Sequence, residues 1–213
     1  MTRVTDQTAA DGRAIAEAKR VLRDAVRLRR SARAVERRMH DDEERFARLT
    51  EALTERPVRR LAAYVSAGDE PDTLRLVAWA VAHDVEVLLP VLSDGDGAWL
   101  PRPSWAAYAG PDALRVGRSR ILEPTGPLLG LGEDPLRTVD LIVVPGLAGD
   151  AEGRRLGRGG GWYDRARALH ATLETWLLLN DDEVLAVVPT DTWDLPVHRL
   201  ITPTRLISTA PSR

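Results

Sequence analysis

Short apolar runs alternate with helical segments after Pro57, and this alternation constrains the fold more than any other feature of the chain. The runs have four to eight residues, are rich in Val, Leu and Ile, and are bounded by Pro, Gly or Asp, as is typical of buried strands. Strands alternating with helices predict an α/β fold with three layers, α/β/α, around a central mostly parallel sheet. The predicted strands are 61–65, 85–92, 141–144, 175–179 and 184–188, with helices at 72–83 and 161–173.

The region before Pro57 has a different pattern. Apolar residues recur at helical spacing over 14–39, with arginine on the other faces, which predicts one long amphipathic helix. Asp41 is a candidate N-cap for a second helix over 42–54. The polar ends, 1–12 and 208–213, are expected to be disordered, so a single domain should cover 13–207. Within the Gly-, Pro- and Asp-rich stretch 93–133, the run 115–122 is a candidate for a further short strand.

Composition excludes several classes of protein. The formal net charge is −2, whereas a dedicated nucleic-acid-binding domain normally carries a strong positive excess. The chain has no cysteine, which excludes disulfides, Cys-ligated metal centres and thiol nucleophiles. The first residues form no apolar leader, and the longest apolar runs are too short to span a bilayer. We therefore expect a cytoplasmic protein that binds neither nucleic acid nor membrane.

Lys19 is the only lysine in the chain, while the 30 basic residues are otherwise arginine. A compact ammonium and a planar guanidinium are not interchangeable at a bidentate or phosphate-binding site. The lone lysine therefore either serves a site that arginine cannot serve or is an accident of an arginine-rich composition.

A glycine-rich segment follows the predicted strand 141–144. Four of the five residues from Gly157 to Gly161 are glycine, and Arg154, Arg155 and Arg158 lie among or beside them. The carboxyl edge of a parallel sheet is where open α/β folds bind ligands, and glycine lets backbone N–H groups approach an anion. A helix N-terminus after the loop would add a positive dipole end. The segment predicts a phosphate site, with a flexible connecting loop as the alternative.

The common nucleotide motifs do not account for this segment. A P-loop requires Gly-Lys-Ser/Thr, but Lys19 stands between Ala18 and Arg20. A dinucleotide fingerprint requires glycine at the sixth position from Gly157, which is Trp162.

The same segment resembles the signature of the 5-formyltetrahydrofolate cyclo-ligase family, also called methenyltetrahydrofolate synthetases. The matching residues are Pro145-Gly-Leu-Ala, Asp150, Gly153 and Arg155-Leu-Gly-Arg-Gly-Gly-Gly-Trp-Tyr-Asp-Arg165. The resemblance continues through Lys19-Arg-Val-Leu-Arg23, residues 63–73, Glu123-Pro124 and residues 189–202 with Asp194-Leu-Pro-Val, and so covers most of 19–202.

The resemblance implies an ATP-dependent ring closure. Members of the family use ATP and magnesium to phosphorylate the formyl oxygen of 5-formyltetrahydrofolate, after which a folate nitrogen attacks the activated carbon. The products are 5,10-methenyltetrahydrofolate, ADP and phosphate. The implied partners are small molecules, ATP and a reduced folate, and we expect a monomer. Such a reaction needs positive charge and metal around the transferred phosphoryl group more than it needs a protein nucleophile.

The resemblance also implies roles for individual residues. The catalytic residues would be Lys19, Arg155 and Arg158, and the metal ligands Asp164 and Asp194. The ATP-binding residues would be Lys19, Arg20, Val21, Leu22, Arg23, Arg155, Leu156, Gly157, Arg158, Gly159, Gly160, Gly161, Trp162 and Tyr163. The folate-binding residues would be Val65, Glu70, Arg158, Gly159, Gly160, Gly161 and Trp162.

Each candidate also has a purely structural interpretation. Lys19 and Arg23 could be solvated charges on an arginine-rich helix, and Glu70 could cap the helix that follows it. Asp164 could pair with a neighbouring arginine, Arg165 or Arg167, and Asp194 could cap a turn.

The chain departs from the family pattern at several positions. Gly149 stands where an aromatic residue is usual, Trp162 where Tyr is usual, and Trp193 where His is usual. The region 178–183 also lacks an expected Gln. These departures concern folate specificity more than phosphate or metal binding.

Two other functions remain as alternatives. A non-catalytic paralogue that binds nucleotide or folate would explain the departures. An RNA-interacting module could use the arginine-rich helix 20–38, although the acidic run 41–44 balances its charge.

Overall fold

The computed structural model describes residues 2–129 and 134–210, and describes the backbone alone for 2–10 and Ser119. The helices are α1 (Thr2–Ser31), α2 (Val35–Thr54), α3 (Leu74–Ala82) and α4 (Trp162–Arg167). The strands are β1 (Arg60–Ala62), β2 (Glu86–Ser93), β3 (Trp99–Ala107), β4 (Leu114–Val116), β5 (Leu122–Pro124), β6 (Leu141–Val144), β7 (Ala148–Gly149), β8 (Arg155–Leu156), β9 (Thr175–Leu178), β10 (Arg199–Ile201) and β11 (Leu206–Ser208).

Seven strands form the central sheet, in the order β11-β10-β9-β6-β1-β2-β3. The five inner strands are parallel, while the edge strands β3 and β11 are antiparallel to their neighbours. The predicted mostly parallel sheet in a single α/β domain is confirmed. The two hairpins β4-β5 and β7-β8 form separate small sheets.

Alternate residues of the inner strands point to opposite faces of the sheet. Leu61 and Val143 belong to a core shared with α2 and α3, while Ala62 and Val144 belong to a core on the other face, where Ala166 of α4 packs. A third cluster joins α1 to β7 and β8 through Val26. Because both faces of the parallel strands are buried, their sequences are continuous apolar runs rather than alternating ones.

Four of the five predicted strands form β1, β2, β6 and β9 at nearly the predicted positions. The prediction of a fifth strand at 184–188 is wrong. Val184 makes only an isolated bridge to Gly149, and the rest of the segment is irregular. Within this segment Val188 is buried, in the cluster of Val26 on α1, while Val187 is 64% exposed, so the apolar run does not form a buried strand. The candidate strand 115–122 is a hairpin, with β4 and β5 at its two ends.

The N-terminal helices also differ from the prediction. The chain breaks at 32–34 rather than after 39, and Asp41 lies buried inside α2, where its Oδ2 pairs with Arg33 Nη1 at 2.6 Å. The sequence does not mark this break, because the apolar spacing continues across it and neither Gly nor Pro stands there.

The structure describes part of each end of the chain. Residues 2–12 belong to α1 and Ser208 ends β11, and the disorder expected for 1–12 and 208–213 stays a prediction. Residues 211–213 lie outside the described part. The domain limits at 13 and 207 stay a prediction.

The last two predicted helices are shorter than expected. The helix predicted at 72–83 is α3, and the helix predicted at 161–173 ends six residues earlier, at Arg167. A six-residue helix has little macrodipole, so a phosphate site here depends on the glycine-rich loop and its arginines. Within the described ranges, no helix is long and apolar enough to cross a bilayer.

Candidate active site

The candidate site lies beyond the carboxyl ends of β1 and β6, at the edge predicted from the sequence. Val65 follows β1, Pro145 follows β6, and the glycine-rich loop leads from β8 into α4. These segments enclose a cavity of about 250 Å³, called here the apolar cavity. Its lining comprises Tyr64, Val65, Glu70, Pro90, Leu92, Trp99, Ile121, Pro145, Arg155, Gly157, Arg158, Gly160, Gly161, Trp162, Tyr163 and Asp164.

Aromatic side chains give this cavity a rigid wall. Trp162 and Tyr163 meet edge to face, with ring centroids 4.7 Å apart, and Trp105 packs against Trp162 from behind at 5.2 Å. Burial, and next the charge of Glu70, raise the pKa of both Tyr64 and Tyr163, so both phenols stay neutral. Apolar walls with a few placed polar groups are typical of sites for flat ring ligands.

Glu70 is the acidic group of the apolar cavity. Its Oε1 accepts from Arg158 Nη1 at 2.8 Å and its Oε2 accepts from the Ala67 backbone N–H at 2.9 Å. The helix α3 is capped by Asp72, whose carboxylate accepts from the Leu74 N–H at 3.1 Å. Glu70 is therefore a cavity residue, and the capping interpretation does not hold for it.

A second cavity of about 250 Å³, called here the polar cavity, adjoins the first. It is lined by Glu152, Arg154, Arg155, Thr190, Asp194, Leu195 and Pro196. Arg155 lines both cavities. The buried Arg155 donates from Nη1 to Pro145 O at 3.1 Å and from Nη2 to Asp164 Oδ1 at 2.7 Å. Its Nε is buried and, within the described part of the chain, has no acceptor, so this donor remains for a ligand.

Lys19 is buried beside the polar cavity, with 7% of its side chain exposed. Its Nζ lies 2.5 Å from Asp191 Oδ2 and 2.5 Å from Asp194 Oδ2. It is therefore not a solvated charge on a helix face. Asp191 is not among the predicted site residues, although its spacing of three residues from Asp194 is a signal in the sequence.

Arginines of α1 hold the glycine-rich loop. Arg23 Nε donates to Gly157 O at 2.9 Å, and Arg27 Nη2 donates to Arg158 O at 3.1 Å. Gly159 has a φ of +109°, which favours glycine, and a Cβ there would lie 3.6 Å from the Arg23 guanidinium. The loop is thus a braced structure rather than a flexible connection.

The other predicted ATP-binding residues of α1 lie elsewhere. Arg20 pairs with Glu17 at 2.6 Å on the exposed side of the helix, and Val21 is exposed. Leu22 packs in the cluster around Val26, which also buries Leu156. Of the run 19–23, the structure brings Lys19 and Arg23 to the site.

The two candidate metal ligands each use one carboxylate oxygen within the protein. Asp164 Oδ1 accepts from Arg155, and Asp194 Oδ2 accepts from Lys19 and from the Asp191 N–H at 2.8 Å. In the ranges that the structure describes, Asp164 Oδ2 and Asp194 Oδ1 accept no hydrogen bond. No group of three or more His, Cys, Asp or Glu that could hold a metal occurs among the described residues. Two free carboxylate oxygens suit magnesium, which keeps waters and phosphate oxygens as its other ligands.

Arg167 is a buried cation that is not among the predicted site residues. Its Nη2 donates to Pro196 O at 2.8 Å and so braces the segment that follows Asp194. Desolvation, and next the charge of Arg155, lower the pKa of Arg167 to about 10. Asp164 pairs with Arg155 rather than with Arg165 or Arg167.

The departures from the family pattern lie mostly outside the two cavities. Gly149 is buried in the core, where a Cβ would lie 3.0 Å from Leu177 Cδ2 and 3.0 Å from Leu200 Cδ2. Trp193 is 70% exposed. In the region 178–183, Asn180 donates to Glu183 at 2.8 Å. Trp162 lines the apolar cavity, and Asn180 lines a separate small pocket together with Glu70.

Comparison with known proteins gives consistent results. The 5-formyltetrahydrofolate cyclo-ligase family model matches residues 15–203. The chain is 37% identical over 154 residues to 5-formyltetrahydrofolate cyclo-ligase of Mycolicibacterium smegmatis, covering 69% of this chain and 75% of that one. It is 28% identical over 192 residues to the Escherichia coli protein of the same name, covering 85% and 98%. The solved structure of Aquifex aeolicus 5,10-methenyltetrahydrofolate synthetase superposes with a TM-score of 0.75 at 28% identity, covering 92% of this chain and 94% of that one.

Proposed function

The chain belongs to the 5-formyltetrahydrofolate cyclo-ligase family and is a cyclo-ligase, and we propose that it converts 5-formyltetrahydrofolate to 5,10-methenyltetrahydrofolate with ATP and magnesium. ADP and phosphate are the other products. One observation carries the proposal: an apolar cavity and a polar cavity meet at Arg155, so that a ring ligand and a nucleotide could bind side by side.

The apolar cavity suits the folate. The flat pterin ring would pack against Trp162 and Tyr163, and its N–H groups would donate to the carboxylate of Glu70. Val65 would contact the ring through the backbone that follows β1. Arg158 pairs with Glu70 at the mouth of this cavity and can turn to a phosphate oxygen, since its side chain is half exposed.

The polar cavity suits the ATP phosphates, together with the glycine-rich loop that lines the neighbouring apolar cavity. Lys19, Arg155 and Arg158 supply three positive charges, and the loop supplies backbone N–H groups. Asp164 and Asp194 would hold magnesium, which when bound neutralises phosphate charge and favours attack by the formyl oxygen. Lys19 and the Nε of Arg155 would stabilise charge on the transferred phosphoryl group, and the apolar cavity would exclude water from the phosphorylated formyl group.

The geometry gives the alternative functions no support. Of the departures that motivated a non-catalytic paralogue, Gly149 lies in the core and Trp193 on the surface, and Trp162 keeps an aromatic ring in the wall of the apolar cavity. The arginines proposed for RNA are engaged within the protein: Arg23 and Arg27 hold the loop and Arg30 pairs with Glu183. The cytoplasmic location and the monomeric state stay predictions from the sequence.

The test follows the absorbance of the methenyl product when purified protein is mixed with ATP, magnesium and 5-formyltetrahydrofolate. We expect product that requires all three additions and one ADP per product. Glu86→Gln, which removes an exposed ion pair with Arg60 far from the site, serves as a matched control and should turn over normally. Saturable nucleotide binding without product would refute the proposal and favour a non-catalytic paralogue.

A further inference from the structure

Asp191 and Asp194 form a closed turn around one ammonium group. The Asp191 N–H donates to Asp194 Oδ2 at 2.8 Å, and the Asp194 N–H donates to Asp191 O at 3.1 Å. Thr192 and Trp193, between them, are exposed. The turn therefore presents two carboxylates inward to the same Lys19 Nζ and turns its central residues outward.

The two carboxylates use two of the three donors of Lys19. An ammonium group has three N–H donors and no acceptor, and each contact with Asp191 and Asp194 takes one of them. Within the described ranges, no other residue accepts from Nζ, so the third donor remains. Two fixed contacts restrict rotation of the ammonium group and so fix the direction of the third N–H bond.

The second carboxylate gives this cluster a net negative charge. Asp191 and Asp194 together carry two negative charges against the single positive charge of Lys19. One negative charge is left over, and it favours a divalent cation at Asp194. Without Asp191, Asp194 alone would have to serve both Lys19 and the metal.

Building on the proposed function, we propose that Asp191 is a positioning residue. It holds Lys19 so that the third N–H bond faces the transferred phosphoryl group, and it leaves Asp194 able to bind magnesium. Asp191 does not itself contact the reacting atoms in this scheme.

The first test uses the fact that Lys19 is the only lysine of the chain. An amine-selective reagent, with peptide mapping to separate Lys19 from the terminal amine, reports the accessibility of this one side chain. In Asp191→Ala one charge-assisted hydrogen bond is lost, so we expect Lys19 to be labelled about tenfold faster than in the unmodified protein. Asp191→Asn keeps an acceptor oxygen without the charge, so its Lys19 should be labelled at a rate between those of Asp191→Ala and the unmodified protein. Glu86→Gln is the matched control and should label at the original rate.

The second test separates positioning from a loss of folded protein. A purely structural defect reduces the fraction of active enzyme, and so the observed rate, but leaves the magnesium dependence of that rate unchanged. For Asp191→Ala we expect kcat to fall about tenfold and the magnesium concentration for half-maximal turnover to rise about tenfold. The KM for ATP at saturating magnesium should change by less than about threefold, because the glycine-rich loop and Arg155 are untouched.

Unchanged labelling of Lys19 in Asp191→Ala would overturn the inference, as would faster labelling with unchanged kcat and unchanged magnesium dependence. Labelling needs no turnover, so it also decides the inference if the proposed reaction fails. In that case magnesium-ATP should slow labelling of Lys19 in the unmodified protein and not in Asp191→Ala; an equal effect in both would overturn the inference.

Discussion

Replacing Lys19 by Arg separates the chemical role of this residue from its structural one. Lys19→Met would leave Asp191 and Asp194 facing each other without a cation, and breaking a buried ion pair costs about 3–5 kcal/mol. The carboxylates are 20% and 17% exposed, so this range is an upper bound here. Arginine keeps the positive charge and can pair with both carboxylates, so Lys19→Arg should fold.

The loss of turnover in Lys19→Arg follows from the donor geometry. A guanidinium directs its N–H bonds in one plane, and pairing with two carboxylates would point its remaining donors away from the direction of the third Lys19 N–H. Removing one preorganised donor to a developing charge lowers kcat by about 10² to 10³, or about 2.7–4 kcal/mol. We expect a loss of at least about 10², while the extra bulk at this 7%-exposed position costs about 1–3 kcal/mol of stability.

The assay combines formation of the methenyl product with urea unfolding of the same preparations. The control is Arg37→Lys, a conservative change at an exposed position of α2. Both variants should show cooperative unfolding, and Arg37→Lys should keep full turnover. A Lys19→Arg enzyme with turnover within about threefold of the unmodified one would refute the donor-geometry argument.

Three further predictions concern stability. Gly149→Ala places a Cβ 3.0 Å from two leucine side chains, and we expect it to lower the free energy of unfolding in urea by about 1–3 kcal/mol. An unchanged urea midpoint would show that the leucine side chains move to accommodate the Cβ. Glu183→Gln breaks a buried ion pair with Arg30 (N–O 2.7 Å) and should lower the free energy of unfolding by about 3–5 kcal/mol. Glu86→Gln breaks an exposed ion pair and should lower it by less than about 1 kcal/mol. Equal losses in the two variants would contradict this prediction. Burial lowers the pKa of His198 below its unfolded value of about 6.5, so the unfolded state takes up the proton first and stability falls as pH drops below about 6.5. His198→Gln should flatten this part of the stability–pH curve, and an unaltered slope would show that other groups cause it.

The elements that the sequence predicted well are those whose signal is local. The strands β1, β2, β6 and β9 are buried on both faces, so each is an uninterrupted apolar run bounded by a turn residue. The segment 184–188 carries the same local signal, but only its last residue, Val188, is buried, and the segment does not join the central sheet. The break between α1 and α2 carries no local signal at all. Composition and periodicity cannot tell a paired strand from an unpaired apolar segment, nor find this helix break, because both depend on packing against residues far away in the sequence.

At the site, too, the features with a local signal can be predicted and the contacts between distant segments cannot. The glycine run, the arginines around it and the lone lysine can be identified in the sequence, and the resemblance they carry predicted the family and its chemistry. The partners of these residues could not be identified, because Lys19 meets Asp191 and Asp194 across 172 and 175 residues of chain, and Arg158 meets Glu70 across 88.

By itself, then, the sequence determined a mostly parallel α/β domain of the cyclo-ligase family and the segment that carries its signature, because residue type, spacing and turn chemistry act within short stretches of chain. Only the tertiary structure decided that two cavities meet at Arg155, that Lys19 is held by two carboxylates, and that Gly149 and Trp193 lie outside the cavities. Those facts depend on contacts between distant segments, which the packing of helices and loops on the sheet fixes.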